Sequence, residues 1–170
     1  MKLIIRNKWI SFRGSSEVKD ETDTKEVMKV IGRFWSITQK KYIEDLEGNV
    51  HYMVRNKFWR IFSRKALIYS FDENKQKQLV AQVRRKIFSF HDRYFIEKCT
   101  IGKMEIMGNI FQHDYNITLD GQQVGHIMRK ISLRDSFILD CADDLEPELM
   151  VAFVIAIDLI TDRKDASSNS

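Results

Sequence analysis

The chain has 170 residues, of which 44% are hydrophobic and 31% are charged, with seven glycines and one proline. A chain of this length can form one domain with a sizeable core, and its composition excludes a disordered chain, a collagen-like repeat and an integral membrane protein. The net charge of +4 is unevenly distributed, because residues 1–139 hold 26 Lys and Arg against 16 Asp and Glu, whereas residues 140–170 hold 2 against 8. The basic part is of the kind that attracts anionic lipid or nucleic acid, although a solvated surface of mixed charge is the commoner explanation.

The first residues do not have the pattern of a secretion signal. Arg6 and Lys8 interrupt the sequence MKLIIRNKWISF before an apolar run of sufficient length, and no small-residue cleavage site follows. We therefore expect a cytoplasmic protein, in which Cys99 and Cys141 are free, reduced thiols.

Six similar units follow one another along most of the chain. Each begins with a basic residue or Asn followed by a large apolar residue, at intervals of 21 to 29 residues. The six pairs are Lys8-Trp9, Arg33-Phe34, Lys57-Phe58, Lys86-Ile87, Asn109-Ile110 and Lys130-Ile131. A short polar break and a second segment with alternating apolar residues follow each pair, so each unit predicts two strands joined by a turn.

These units predict an antiparallel β-structure that closes on itself. Several units end in Gly, Asn or Asp, as at Glu47-Gly48-Asn49 and Asp120-Gly121, and these residues tolerate the positive φ of hairpin turns. Six units give about twelve short strands, which is typical of a sandwich or barrel. The predicted fold class is mainly β, a closed antiparallel β-barrel of about twelve strands.

The last long element is predicted to be a buried helix at about residues 147–161. The sequence PELMVAFVIAIDLI is almost wholly apolar, with acidic residues and Pro147 at its start and Arg163 and Lys164 beyond its end, which suits the helix dipole. Its uninterrupted apolar run, Leu149 to Ile157, is 9 residues, whereas a bilayer requires about 20. We therefore expect the helix to lie inside the barrel, in a single domain of residues 1–163 followed by a disordered polar tail at 164–170.

At this point the sequence resembles a known family. The segments RFWSITQKKYIED, RKIFSFHDRYFIE and RKISLRDSFILD, together with the terminal DLEPELMVAFVIAIDLITD, are similar to the LURP-one-related proteins of the tubby C-terminal-like superfamily. The resemblance extends over residues 2–162 and also touches the phospholipid scramblases, in which an acidic stretch precedes an apolar helix. It implies a tubby-like barrel around a hydrophobic helix, in a superfamily that includes phosphoinositide-binding proteins.

Strand alternation places a set of basic and aromatic side chains on the outside of this barrel. Lys and Arg there could bind anionic headgroups, with Trp at the membrane interface. The predicted lipid-binding or anion-binding residues are Arg33, Trp35, Arg55, Lys57, Trp59, Arg84 and Lys86. Asn56 and Arg85 fall on the inward side, which predicts bulges or a barrel end open to water.

Three alternatives stay open for these side chains. They could simply solvate the outer face and prevent edge pairing, or they could follow a nucleic-acid backbone, which is the less favoured ligand. In the third, the protein is a regulatory or interaction scaffold that binds another protein and no lipid. In each case we expect a monomer, which on the lipid hypothesis is peripheral at the membrane.

Metal binding and catalysis have weaker support in the sequence. Asp140, Asp143 and Asp144 could bind Ca²⁺ through oxygen ligands, but they lack the spacing of an EF-hand loop and also suit the start of a helix. Ser89, His91 and Asp92 are adjacent, yet neighbours on a strand point apart and do not form a triad. The sequence therefore predicts a non-enzymatic protein without a cofactor.

Overall fold

A computed structural model of the chain describes residues 1–7, 15–33, 39–56, 65–85, 91–109, 114–130 and 136–161. These residues form twelve strands and one helix. The strands are β1 (Lys2–Asn7), β2 (Ser16–Asp20), β3 (Glu26–Arg33), β4 (Lys40–Glu44), β5 (Val50–Asn56), β6 (Lys65–Phe71), β7 (Lys77–Arg85), β8 (His91–Glu97), β9 (Met104–Asn109), β10 (Asp114–Leu119), β11 (Gln122–Lys130) and β12 (Ser136–Cys141). The helix α1 is Pro147–Thr161.

The twelve strands form a closed antiparallel barrel in which each strand pairs with its neighbours in the chain, and β1 pairs with β12 to complete the ring. This confirms the predicted fold class. Consecutive pairing follows from the hairpin units, because a short turn can only join antiparallel neighbours. Closure removes the exposed strand edges that an open sheet of this size would have.

Alternation along each strand separates an apolar interior from a polar exterior. On β3, Met28 and Val30 are buried, whereas Val27 and Lys29 are only half-buried. Val54, Val83 and Ile127 are likewise inward and fully buried, as their positions in the repeat predict. The period of two in the sequence is therefore the period of the barrel wall.

Helix α1 occupies the centre of this interior. Every residue from Leu149 to Ile160 is buried, and the helix packs chiefly on β5 and β6. Each fully buried Leu, Ile, Val, Met or Phe contributes about 1.5–3 kcal/mol by leaving water, so α1 supplies a large part of the core. No helix among the described residues is long and apolar enough to cross a membrane.

Both ends of α1 are held by side chains from the wall. At the N-terminus the Tyr52 hydroxyl donates to Glu146 Oε2 at 2.6 Å. At the C-terminus Asn56 Nδ2 donates to the carbonyl oxygen of Leu159 at 3.3 Å. The helix carries no basic residue in its last turn, and Arg163 and Lys164 lie outside the described residues.

The inward positions of Asn56 and Arg85 are confirmed, and each of their strands contains a bulge, at His51 in β5 and at Val80 in β7. Neither bulge lies next to Asn56 or Arg85. The pairing of Asn56 with Ala66 and of Arg85 with Tyr94 is regular, so no bulge redirects either side chain. Both residues are buried, at 5% and 7% exposure, so this part of the barrel end is not open to water. Asn56 satisfies one of the last carbonyl groups of the helix, which the helix itself cannot bond.

We expect Ala156→Asp to destabilise the protein by ~3 kcal/mol or more, because an unpaired charge would be buried among apolar side chains. Ala156 is 0% exposed. Thermal or urea unfolding measures the change, with Gln122→Asp at an exposed position as the control. A variant as stable as the parent would contradict the central placement of the helix.

Candidate anion-binding site

The seven predicted anion-binding residues fall into two groups. Trp35, Lys57, Trp59 and Lys86 lie outside the described residues. The backbone of Arg33 and the side chains of Arg55 and Arg84 are described, and all three lie near the ends of β3, β5 and β7. Because alternate strands of an antiparallel ring run in the same direction, these positions share one end of the barrel.

Three basic residues on neighbouring strands lie directly opposite one another. Arg33 of β3 pairs in register with Lys40 of β4, and Lys40 pairs with Arg55 of β5. We call Arg33, Lys40 and Arg55 the cationic row. Lys40 and Arg55 are half-buried, and neither has an acidic partner among the residues that the structure describes. Like charges opposite one another on a sheet are destabilising, so the row has an energetic cost in the absence of an anion.

Arg84 does not join this row. Its guanidinium forms an ion pair with Glu97 Oε1 at 3.0 Å, and the side-chain amide of Gln82 donates to the other oxygen of the same carboxylate. With its charge balanced by Glu97 and its side chain 46% exposed, Arg84 has the environment of an ordinary surface residue. The structure therefore brings Arg33 and Arg55 together with Lys40, and separates Arg84 from them.

The cationic row borders a groove of about 970 Å³ on the outer face of β4 and β5. Lys40, Tyr42, Met53 and Arg55 line it along the strands, and the turns that follow β4 and β6, at the other end of these strands, complete it. The turn residues and the remaining lining residues are Asp45, Gly48, Asn49, Val50, His51, Phe71, Asp72, Glu73, Lys75 and Lys77. The groove combines cations with apolar and aromatic surface, which suits an anionic group attached to an apolar body.

The two turns that border the groove hold their acidic groups in local hydrogen bonds. Asp45 accepts from the backbone and side-chain nitrogens of Asn49 at 2.7 and 2.8 Å, and His51 Nε2 lies 3.3 Å from it. Asp72 accepts from the backbone N–H of Gln76 at 2.8 Å. The side chain of Asn49, with its backbone N–H and His51, lowers the pKa of Asp45. These carboxylates therefore stabilise the turns, and they form no ion pair with Lys40 or Arg55.

The acidic residues before the helix are not arranged as metal ligands. The described part of the chain contains no group of three or more His, Cys, Asp or Glu side chains that could hold a metal ion. Asp143 contacts the amino group of Met1, which lowers the pKa of its carboxyl, and Asp140 lies opposite Lys2 and His126 on the barrel wall. Asp140 thus belongs to β12, which ends at Cys141, whereas Asp143 and Asp144 belong to the segment between β12 and the helix.

The two cysteines are free, Cys141 buried and Cys99 half-buried. Burial raises the pKa of both thiols, which makes them poor nucleophiles at neutral pH. Ser89 lies outside the described residues, as do the side chains of His91 and Asp92.

Comparison with known proteins identifies the family of this chain. The sequence model of the LURP-one-related family matches residues 1–158. The chain belongs to the LURP-one-related family. It is also similar to the uncharacterized protein YxjI of Bacillus subtilis (strain 168), with 23% identity over 162 residues that cover 94% of this chain and 93% of YxjI. Neither the family description nor that of YxjI gives any sign of catalytic activity.

The sequence does not predict the positions of two residues of this LURP-one-related barrel, Lys40 and Lys41. Lys40 was not predicted, because the strand partner that faces Arg33 and Arg55 depends on the register of β4. Lys41, its neighbour, is inward and contacts Asp158 of the helix. The only indication of Lys40 and Lys41 in the sequence is that two lysines stand together at the start of a strand, and such pairs are common on protein surfaces.

We expect Lys40→Glu to raise the free energy of unfolding by ~0.2–1 kcal/mol, because an acidic side chain would then lie opposite Arg55 of β5. Chemical denaturation measures this change. Lys130→Glu on β11, which faces Ser136, provides a matched charge reversal that should give no gain. Destabilisation by Lys40→Glu would show that the row is not repulsive.

We expect Asp45→Asn to lower stability at pH 7 and to lose this effect in acid. The pKa of Asp45 is lower in the folded protein than in the unfolded chain, so its charged form contributes stability above pH ~4 that disappears as the pH falls through the folded pKa. Melting temperatures of parent and variant from pH 7 to pH 2 should therefore converge. A difference that is constant over this range would contradict the assignment.

Proposed function

We propose that this protein is a non-enzymatic, tubby-like barrel that binds an anionic phospholipid at a membrane surface, with Lys40 and Arg55 as the cations that contact the headgroup. The observation that carries the proposal is the cationic row. Arg33, Lys40 and Arg55 occupy paired register positions of β3, β4 and β5, and the side chains of Lys40 and Arg55 lack an acidic partner within the described residues. An anion bound across the row would neutralise the repulsion that the bare barrel sustains.

The groove beside the row supports a lipid rather than an inorganic ion. Tyr42, with Met53 largely buried beneath the surface, lines the groove next to Lys40 and Arg55, so headgroup and glycerol carbons would have separate contacts. Lys75 in the turn after β6 and Lys77 at the start of β7 add further positive charge at the other end of the groove. Cations beside apolar surface are the usual composition of membrane-interface sites.

The sequence contains further residues of the same kind directly after Arg33 and Arg55. Trp35 follows Arg33 by two positions, and Lys57 and Trp59 follow β5 directly in the chain. On this proposal they take part in membrane contact, and Arg84 and Lys86 contribute only to the general positive field. The protein would be cytoplasmic and peripheral at the membrane, in line with a relation to the tubby-like proteins and the scramblases.

Vesicle binding tests the proposal. Phosphatidylcholine vesicles with graded phosphatidylserine or phosphoinositide content should bind the protein more strongly as anionic content rises, and less strongly at high salt. Each Lys or Arg near an anionic surface contributes about 1 kcal/mol, so Lys40→Gln/Arg55→Gln should weaken partitioning by about 30-fold.

The matched control is Lys25→Gln/Lys103→Gln, which removes the same charge from two exposed turns at the opposite barrel end. It should bind nearly as well as the parent. Equal losses in both double variants would assign binding to net charge alone. Indifference of the parent to lipid charge would refute the lipid proposal and favour a protein partner.

A further inference from the structure

The central helix contains one charged residue within its buried segment. Asp158 interrupts the otherwise apolar sequence from Leu149 to Ile160 and is only 1% exposed. Its Oδ2 lies 3.2 Å from Nζ of Lys41, which β4 directs into the barrel and whose side chain is 12% exposed. The two residues form an ion pair in the interior, at the end of the barrel where the helix terminates.

This pair is poorly suited to stabilise the fold. Transfer of two charges from water into a protein interior costs several kcal/mol per ion, and mutual attraction repays this only when the remaining hydrogen-bonding groups are also satisfied. Asp158 Oδ1 is buried and has no hydrogen-bond partner within the described part of the chain. Two apolar side chains of similar volume would fill the same space without this cost, so the pair calls for another explanation than stability.

The rest of the helix does little to define its own position. A helix with apolar residues on all sides has similar packing energy after rotation about its axis or after a shift of one turn, ~5.4 Å. Ala152 and Ala156 lie one turn apart, and branched or long apolar side chains surround them on every face. Apolar packing therefore requires α1 to be inside the barrel but specifies its depth and rotation weakly.

Polar contacts with the wall distinguish one position from the others. Besides Lys41 and Asp158, Asn56 Nδ2 donates to the carbonyl oxygen of Leu159, and the Tyr94 hydroxyl lies 3.0 Å from Thr161 Oγ1. These wall residues come from the adjacent strands β4 and β5 and from β8, three strands further along the ring. A shift of one turn would break all three contacts and leave Asp158 and Lys41 buried without partners.

We propose that the Lys41–Asp158 ion pair, supported by Asn56 and Tyr94, sets the depth and rotation of the central helix within the barrel. The pair acts on specificity, since it makes every alternative position of α1 leave a charge unpaired. It contributes little or nothing to net stability. This device is independent of any ligand on the outer face.

Three variants test the proposal. Lys41→Met/Asp158→Leu removes both charges, Lys41→Met removes one, and Lys41→Asp/Asp158→Lys restores a pair with the charges exchanged. Thermal unfolding gives the stability of each. Methyl NMR spectra of Ile155, Ile157 and Ile160 report whether α1 occupies one position, since each position places these methyl groups beside different wall residues.

We expect Lys41→Met to melt well below the parent, or not to fold, because Asp158 would be buried unpaired. The apolar double variant should melt at or above the parent temperature, yet show doubled or broadened methyl signals. The exchanged pair should recover single sharp signals. Single, sharp signals with unchanged contacts in the apolar double variant would overturn the proposal, as would a melting temperature far below that of the parent.

Discussion

Burial of the central helix is the constraint on which the rest of the structure depends. α1 is apolar on every face, so placing it on a single sheet would leave one side of the helix in water. A closed barrel buries the helix on all sides, and α1 packs chiefly on β5 and β6 within it. The hairpin units and the helix are therefore not separable parts of the fold, because the inward faces of the strands and the helix together form one core.

Because side-chain direction alternates along the strands, neighbouring residues lie on opposite faces of the barrel wall and make different contacts. Lys40 lies outside, in the cationic row, while Lys41 lies inside and contacts Asp158. Arg55 lies outside beside the groove, while Asn56 lies inside and bonds to the end of the helix. Since a shift of one residue would exchange the two faces, the same register that forms the outer row also positions the inner contacts.

The cationic row and the buried ion pair each have an energetic cost that a barrel without them would avoid. The cationic row places like charges opposite one another, and the ion pair inside desolvates two charges with one oxygen left unbonded. Local conflicts of this kind in an otherwise consistent structure mark positions where requirements other than stability operate. In this member of the LURP-one-related family, the outer conflict is what anion binding would resolve, and the inner conflict is what helix positioning would explain.

The architecture could be predicted from the sequence because it depends on local patterns. Alternation with a period of two, hairpin turns at regular intervals and one apolar segment of helical length define twelve strands and a buried helix before any contact is known. The inward positions of Asn56 and Arg85 also follow from alternation. Their burial does not, since it depends on the tertiary structure. Asn56 lies against the last turn of the helix, where it bonds to the carbonyl oxygen of Leu159.

Only part of the candidate site could be predicted from local patterns in the sequence. The repeat in the sequence predicts Arg33 and Arg55. Lys40 lies opposite them because of the register of β4, which the sequence does not show. Arg84 is excluded from the row because it forms an ion pair with Glu97. The sequence shows Asp158 as a charge in an apolar segment. It does not show that Asp158 pairs with Lys41, which is 117 positions away in the chain. The sequence by itself determined which segments are strands and helix, because periodicity is local. Only the tertiary structure decided which charges meet, because pairing across strands and along the barrel axis joins residues far apart in the chain.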